Sequence, residues 1–227
     1  MKKLMSLVAL AVVASVVAAS AQEVLSANAV GYVKRAIPAG KLQIVSVPFE
    51  NIASEDGTYK FGETQIANDL PQGSSVMFWD DANQGWSGGA KGAKGWSAGQ
   101  ANHVLVPGEG FFVRNNSSAD LEVTAAGEVP SDGSLSRAYN GGSALSIVAS
   151  PYPVDVTFGE TEIASQLPQG SSVMFWDVDK QGWSGGAKGA KGWSAGQANK
   201  VISAGEGFFI RAASEDAWSA VKPYTWP

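Results

Sequence analysis

The sequence predicts an all-β fold: two pseudo-symmetric tandem halves of short antiparallel strands, sandwich-like or barrel-like, and three observations lead there. The first is a repeat. Phe61 to Arg114 and Phe158 to Arg211 align without a gap at an offset of 97 residues, as between Phe61 and Phe158, and a fixed-period repeat of that length means two similar structural units. The second is the pattern of short runs rich in Val, Ile, Phe and Trp, bounded by Gly and Pro, which reads as strands and turns rather than helices. The third is composition: 27 Gly, eight Trp and nine Phe with few charges suit tight turns and small cores filled by large aromatics. With no Cys in the chain, neither a disulfide framework nor a lipid-modified N-terminal Cys is available, and stability must come from packing.

Met1 to Ala21 reads as a signal peptide: Lys2 and Lys3 form a basic start, Leu4 to Val17 an apolar run, and Ala19-Ser20-Ala21 a small-residue cleavage site before Gln22. The expected organisation is therefore 1–21 signal, 22–130 first repeat unit and 131–227 second. Removing the two lysines leaves 14 basic against 21 acidic residues, a formal charge near −7, which makes nucleic acid an unsuitable partner. No later stretch has the length and apolarity of a membrane-spanning helix, so the cleaved chain is expected not to span a bilayer.

Taken in order, Asn28 to Arg35 and Leu42 to Phe49 read as two strands separated by the turn Pro38-Ala39-Gly40. Ser146 to Tyr152 matches Gln43 to Phe49 at an offset of 103 residues. The six additional residues of the first copy fall within Glu50 to Lys60, a longer surface loop. In Thr64 to Leu70 and Thr161 to Leu167, apolar residues four apart between a Thr and a Pro predict a helix of one to two turns. Ser75 to Trp79 and Ser172 to Trp176 are apolar on both faces, the pattern of a strand covered on both sides. Gln84 to Gln100 is expected to be a Gly-rich loop between Trp86 and Trp96, with Lys91 and Lys94, like Lys188 and Lys191 in the copy, as solvated charges. Strand character returns at Val104 to Val106 and at Gly110 to Arg114, then at Leu121 to Val129. Pro130 to Gly142 reads as the connection between halves, and part of the aromatic stretch from Ala217 to Pro227 is expected to pair as a closing strand.

The order of Asn28-Ala29-Val30-Gly31-Tyr32-Val33, Ile37-Pro38-Ala39-Gly40, a Gly-Ser-Ser-Val-Met-Phe-Trp-Asp strand, a Gly-Trp segment and Pro107-Gly108-Glu109-Gly110-Phe111-Phe112 resembles a group of secreted Gram-negative bacterial proteins with duplicated β-rich units. The resemblance covers nearly all of the chain after the signal. It implies architecture and export, and no activity, since none is established for the group. The second copy departs from the pattern at Ala204, where the first has Pro107.

Few residues offer chemistry. His103 is the one His, and Lys200 stands at its copy position, so triads, thiolates and multi-His metal sites lack raw material. Glu109 and Glu206 recur in Gly-Glu-Gly-Phe-Phe. A glycosidase needs two carboxyls about 5 to 9 Å apart, so that reading requires the halves to meet there; a turn Glu bonded to backbone or paired with Arg is the simpler account. Asp177, Asp179 and Gln181 open like a calcium loop, but Lys188 stands where the closing Glu belongs and the first copy lacks the middle ligand. A hairpin turn explains both copies, and no cofactor is expected. Trp86, Trp96, Trp183 and Trp193 could present aromatic faces to sugar rings or anchor the Gly-rich loops, and the average burial of Trp favours anchoring.

An outer-membrane barrel needs strands of about nine to eleven alternating residues, and these runs are shorter. The expected function is that of a secreted, non-enzymatic structural protein of the periplasm, cell surface or extracellular space, self-associating through β edges or aromatic surfaces. The alternative is a carbohydrate-binding module, with polysaccharide as partner and the paired Trp loops as its sites.

Overall fold

The computed structural model describes residues 29–142 and 144–225; the expected signal at 1–21, Asn28 and Trp226 lie outside them. The first half contains β1 (Val30–Ile37), β2 (Leu42–Ser46), β3 (Tyr59–Lys60), α1 (Gln65–Asp69), β4 (Ser75–Asp80), β5 (Gly85–Ala90), α2 (Ala98–Ala101), β6 (Val104–Leu105), β7 (Gly110–Arg114) and β8 (Leu121–Glu128). The second contains β9 (Ser134–Tyr139), β10 (Ser146–Ala149), β11 (Val156–Thr157), α3 (Glu162–Gln166), β12 (Ser172–Asp177), β13 (Gly182–Ala187), α4 (Ala195–Ala198), β14 (Val201–Ile202), β15 (Gly207–Arg211) and β16 (Asp216–Val221). The fold is all-β. No helix among the described residues is long and apolar enough to cross a membrane.

Each half builds a four-stranded antiparallel sheet, in the order β2-β7-β4-β5 or β10-β15-β12-β13, and a two-stranded ribbon, β1-β8 or β9-β16. Alternation along the strands distributes three apolar layers. In β4, Val76 and Phe78 enter the core of the first half, while Met77 and Trp79 face the other way. Phe111 and Val113 of β7 share that first core, and Phe112 between them points outward. The second half repeats this with Val173 and Phe175 on one side and Met174 and Trp176 on the other. The outward residues of both sheets meet in a third cluster centred on Ile44, Phe112, Ile147 and Phe209. That is why the Val-Met-Phe-Trp strands are apolar on both faces.

Three expectations are corrected. The connection from Pro130 to Gly142 contains strand β9, which pairs with β16 from Asp216↔Tyr139 to Val221↔Ser134. Its Ser and Arg residues dilute the apolar signal, but Tyr139 is buried in the second core and Leu135 packs against it. The Gly-rich segment is not one loop: β5 occupies its start and α2 its end. Gly88 and Gly89 adopt φ of 134° and 149°, and a Cβ on Gly88 would lie 2.1 Å from the Val76 carbonyl oxygen, so glycine is what lets β5 approach β4. Lys91 and Lys188 are not solvated charges. Lys91 Nζ donates to the carbonyls of Ala67 and Leu70 at 2.8 and 2.7 Å, and Lys188 Nζ to those of Ala164 and Leu167 at 2.8 and 2.6 Å, capping the carbonyl ends of α1 and α3.

Candidate functional site

The residues that the sequence singles out gather mainly where the two sheets face each other. Gly110 and Gly207 make the approach possible: a Cβ on Gly207 would stand 2.6 Å from Ile44 Cγ2, with Gly110 Cα at 3.2 Å. Reciprocal backbone bonds join the halves, Ser46 N–H to Gly205 O at 2.9 Å and Ala149 N–H to Gly108 O at 2.8 Å. Trp79 Nε1 donates to the Leu145 carbonyl at 3.0 Å, and its counterpart Trp176 Nε1 to the Leu42 carbonyl at 2.7 Å.

The hairpin loops between β4 and β5 and between β12 and β13 supply the matching polar clamps. Gln84 and Gln181 both sit at φ 51°, a left-handed conformation uncommon outside Gly and Asn. Gln181 Oε1 accepts the Leu42 N–H at 2.9 Å and its Nε2 donates to the Leu42 carbonyl at 3.0 Å. The amide is thereby committed to backbone in the other half. Asp177 accepts the Lys180 N–H at 2.9 Å and pairs with Lys180 Nζ at 3.1 Å, while the Asp179 carbonyl accepts from Lys41 Nζ at 3.2 Å. Among the described residues no three His, Cys, Asp or Glu side chains are grouped to hold a metal ion. The calcium candidates Asp177, Asp179 and Gln181 thus lie in a hairpin whose Gln is already bonded.

Glu109 and Glu206 are each tied to an Arg of the opposite half: Arg137 Nη1 is 3.8 Å from Glu109 Oε2, and Arg35 Nη2 is 3.4 Å from Glu206 Oε2. Each also accepts a backbone N–H of its own turn, from Val106 at 3.1 Å and from Ser203 at 3.2 Å. His103, stacked on Phe78 at 3.7 Å, faces Glu109 Oε1 at 3.3 Å, and Lys200 takes the equivalent place beside Glu206 at 3.7 Å. The two grooves are not alike. Beside Arg137 stands Asp81, 3.4 Å from Nη2, where the copy has Val178. Burial pushes the Asp81 carboxyl up from its ordinary value, against the opposing pull of Arg137. An open cleft of about 650 Å³ lies over Trp79, Asp81, Glu109 and Arg137.

The four paired tryptophans divide two and two. Trp96 and Trp193 pack edge-on against Phe61 and Phe158, and their Nε1 atoms donate to the Ala67 and Ala164 carbonyls at 2.9 and 2.7 Å. They anchor the Gly-rich segments. Trp86 and Trp183 lie on the opposite side of their sheets, each 46% exposed, in register with Trp79 and Trp176 across the hairpins. Both touch the same two rings: Trp86 meets Phe112 at 5.5 Å and Phe209 at 5.8 Å, and Trp183 meets them at 6.0 and 5.4 Å. The strands place Trp86 with Trp183 at the junction, and not Trp86 with Trp96.

Arg35, Arg137 and Gln84 were not among the expected site residues, and Gln181 was expected only as a calcium ligand, not as a clamp on the other half. The recurrence of Gln before Gly-Trp in both hairpins is the signal that could have marked the glutamines; nothing local marks the arginines, whose partners lie in the other half. Comparison with protein-family profiles, curated proteins and solved structures finds no match.

Proposed function

We propose that the chain is an exported, non-enzymatic structural protein, working at the cell surface or outside the cell, that self-associates through β5 and β13. One observation carries this reading. Each is an edge strand of its four-stranded sheet, at the end opposite β2 or β10, no further strand pairs with it among the described residues, and both read Gly-Trp-Ser-Gly-Gly-Ala with the Trp, Ser, first of the paired Gly and the Ala exposed. An unpaired edge offers a row of backbone donors and acceptors to another chain, and here the offer is made twice. The engagement of Glu109, Glu206, Arg35 and Arg137 in joining the halves supports a scaffold over a catalyst. Light scattering and negative-stain microscopy of the chain from Gln22, across concentration, test it. Ordered assemblies that grow with concentration are expected; a monomer at every concentration removes the reading.

A second reading, polysaccharide binding, draws on Trp86 and Trp183, half exposed over shared phenyl rings. Aromatic faces bury the apolar side of a pyranose. A polysaccharide-induced shift in tryptophan emission that is lost in the W86A/W183A double variant supports it, and an unresponsive parent protein removes it.

A further inference from the structure

We infer that the second half alone carries a binding pocket for a small organic ammonium compound, in the space that Tyr59 fills in the first half. The pocket, about 320 Å³, lies between β11, α3 and β16, with Val156 and Val221 among its walls and Tyr152 and Trp218 at its floor. That is the lower end of the range for small-molecule sites, about 300 to 1,000 Å³.

The two copies explain its origin. Tyr59 pairs with Leu105 as Val156 pairs with Ile202, so Tyr59 and Val156 are equivalent. The Tyr59 hydroxyl reaches the carbonyls of Glu50 and Ala126 at 3.1 and 3.0 Å, and Ala126 occupies in β8 the place of Val221 in β16. Its ring therefore spans the gap that Val156 and Val221 leave open. The longer loop of the first half also folds back there, bonding Glu50 to Glu128 in both directions at 2.9 Å. The second half lacks both the phenol and the extra loop residues.

Charge changes at the same positions. The first half carries Thr58, Tyr59, Lys60, Glu63 and Gln65, one positive and one negative; the second carries Asp155, Val156, Thr157, Glu160 and Glu162, three carboxylates and no cation. All five of the latter line the pocket, and no Lys, Arg or His does. These acids are not grouped to ligate a metal, so a larger, organic cation is the complementary partner. Trp218, 3% exposed, lines the same pocket, and its Nε1 has no hydrogen-bond partner among the described residues. The indole Nε1 is itself shielded from solvent, so the part Trp218 plays is, with Tyr152, an aromatic wall that favours a cation.

Calorimetric titration of the chain from Gln22 with glucosamine, and with uncharged N-acetylglucosamine as comparison, tests the inference. Saturable binding of glucosamine is expected, at least tenfold tighter than that of the acetylated sugar. Two substitutions restore the residues of the first copy. Val156→Tyr is expected to abolish binding, and Glu162→Gln to weaken it about tenfold, with circular dichroism unchanged; should the tyrosine variant misfold, Glu160→Gln/Glu162→Gln replaces it. Absence of saturable glucosamine binding, equal binding of the two sugars, or unaltered affinity in the folded variants overturns the inference. None of these outcomes depends on self-association through β5 and β13.

Discussion

Gln84 in the first half holds Leu145 in the second as one strand residue holds another: Oε1 accepts the Leu145 N–H at 2.6 Å and Nε2 donates to its carbonyl at 2.9 Å. Gln181 and Leu42 repeat the arrangement in the opposite direction. Two copies of one hairpin thus bind one another through side chains that imitate a backbone. Gln84→Ala removes both bonds while keeping the left-handed conformation, and is expected to cost about 1 to 2 kcal/mol of unfolding free energy. Combining it with Gln181→Ala is expected to about double the loss. Urea denaturation of the chain and both variants measures it; a loss below about 0.3 kcal/mol in the double variant contradicts the clamp.

The clamp also shows what could be read in the sequence. The duplicated strands, the short helices and the apolar double faces of Ser75–Asp80 and Ser172–Asp177 follow from local pattern and repeat length. So does the turn role of Glu109 and Glu206, each of which accepts a backbone N–H of its own turn. The partners did not follow. Arg35 reaches Glu206 across 171 residues, and Gln181 reaches Leu42 across 139; no local period encodes such distances. Likewise Trp86 and Trp96 are close in sequence but separate because strand alternation and the Lys91 cap send them to opposite faces of one sheet.

Lys91 and Lys188 anchor their Gly-rich segments by capping α1 and α3. Charge-assisted bonds to carbonyls with no helical partner contribute more than neutral ones, so Lys91→Met is expected to cost about 1 to 2 kcal/mol. Lys188→Met is expected to match it, because the contacts are equivalent. Lys94, which is exposed, provides the control: Lys94→Met is expected to stay within about 0.5 kcal/mol of the parent.

Asp81 gives the junction a pH dependence of known sign. Its folded carboxyl is raised above 3.8, mainly by burial. Between that ordinary value and the raised one, the folded chain holds more protons than the unfolded chain, so this group's contribution to stability falls as pH rises through the window. Above the window it is a constant cost; below 3.8 it vanishes. Asp81→Asn is therefore expected to be more stable than the parent at pH 7, by less than about 1 kcal/mol given partial solvent exposure. The advantage should shrink to nothing near pH 3, as urea unfolding at the two pH values will report. An advantage that grew on acidification would contradict the assignment.

The central claim is that two matching outer strands make the molecule divalent. Two like edges on one body give an open chain of subunits, whereas one gives a closed pair. A Lys on an edge strand blocks pairing without disturbing the fold. Sedimentation velocity of the chain from Gln22, alongside S87K, S184K and the double variant, tests this most directly. The expected result is species beyond the dimer that grow with concentration for the parent, dimers at most for each single variant, and monomer for the double. A parent that remains monomeric, or variants that assemble as the parent does, would contradict it.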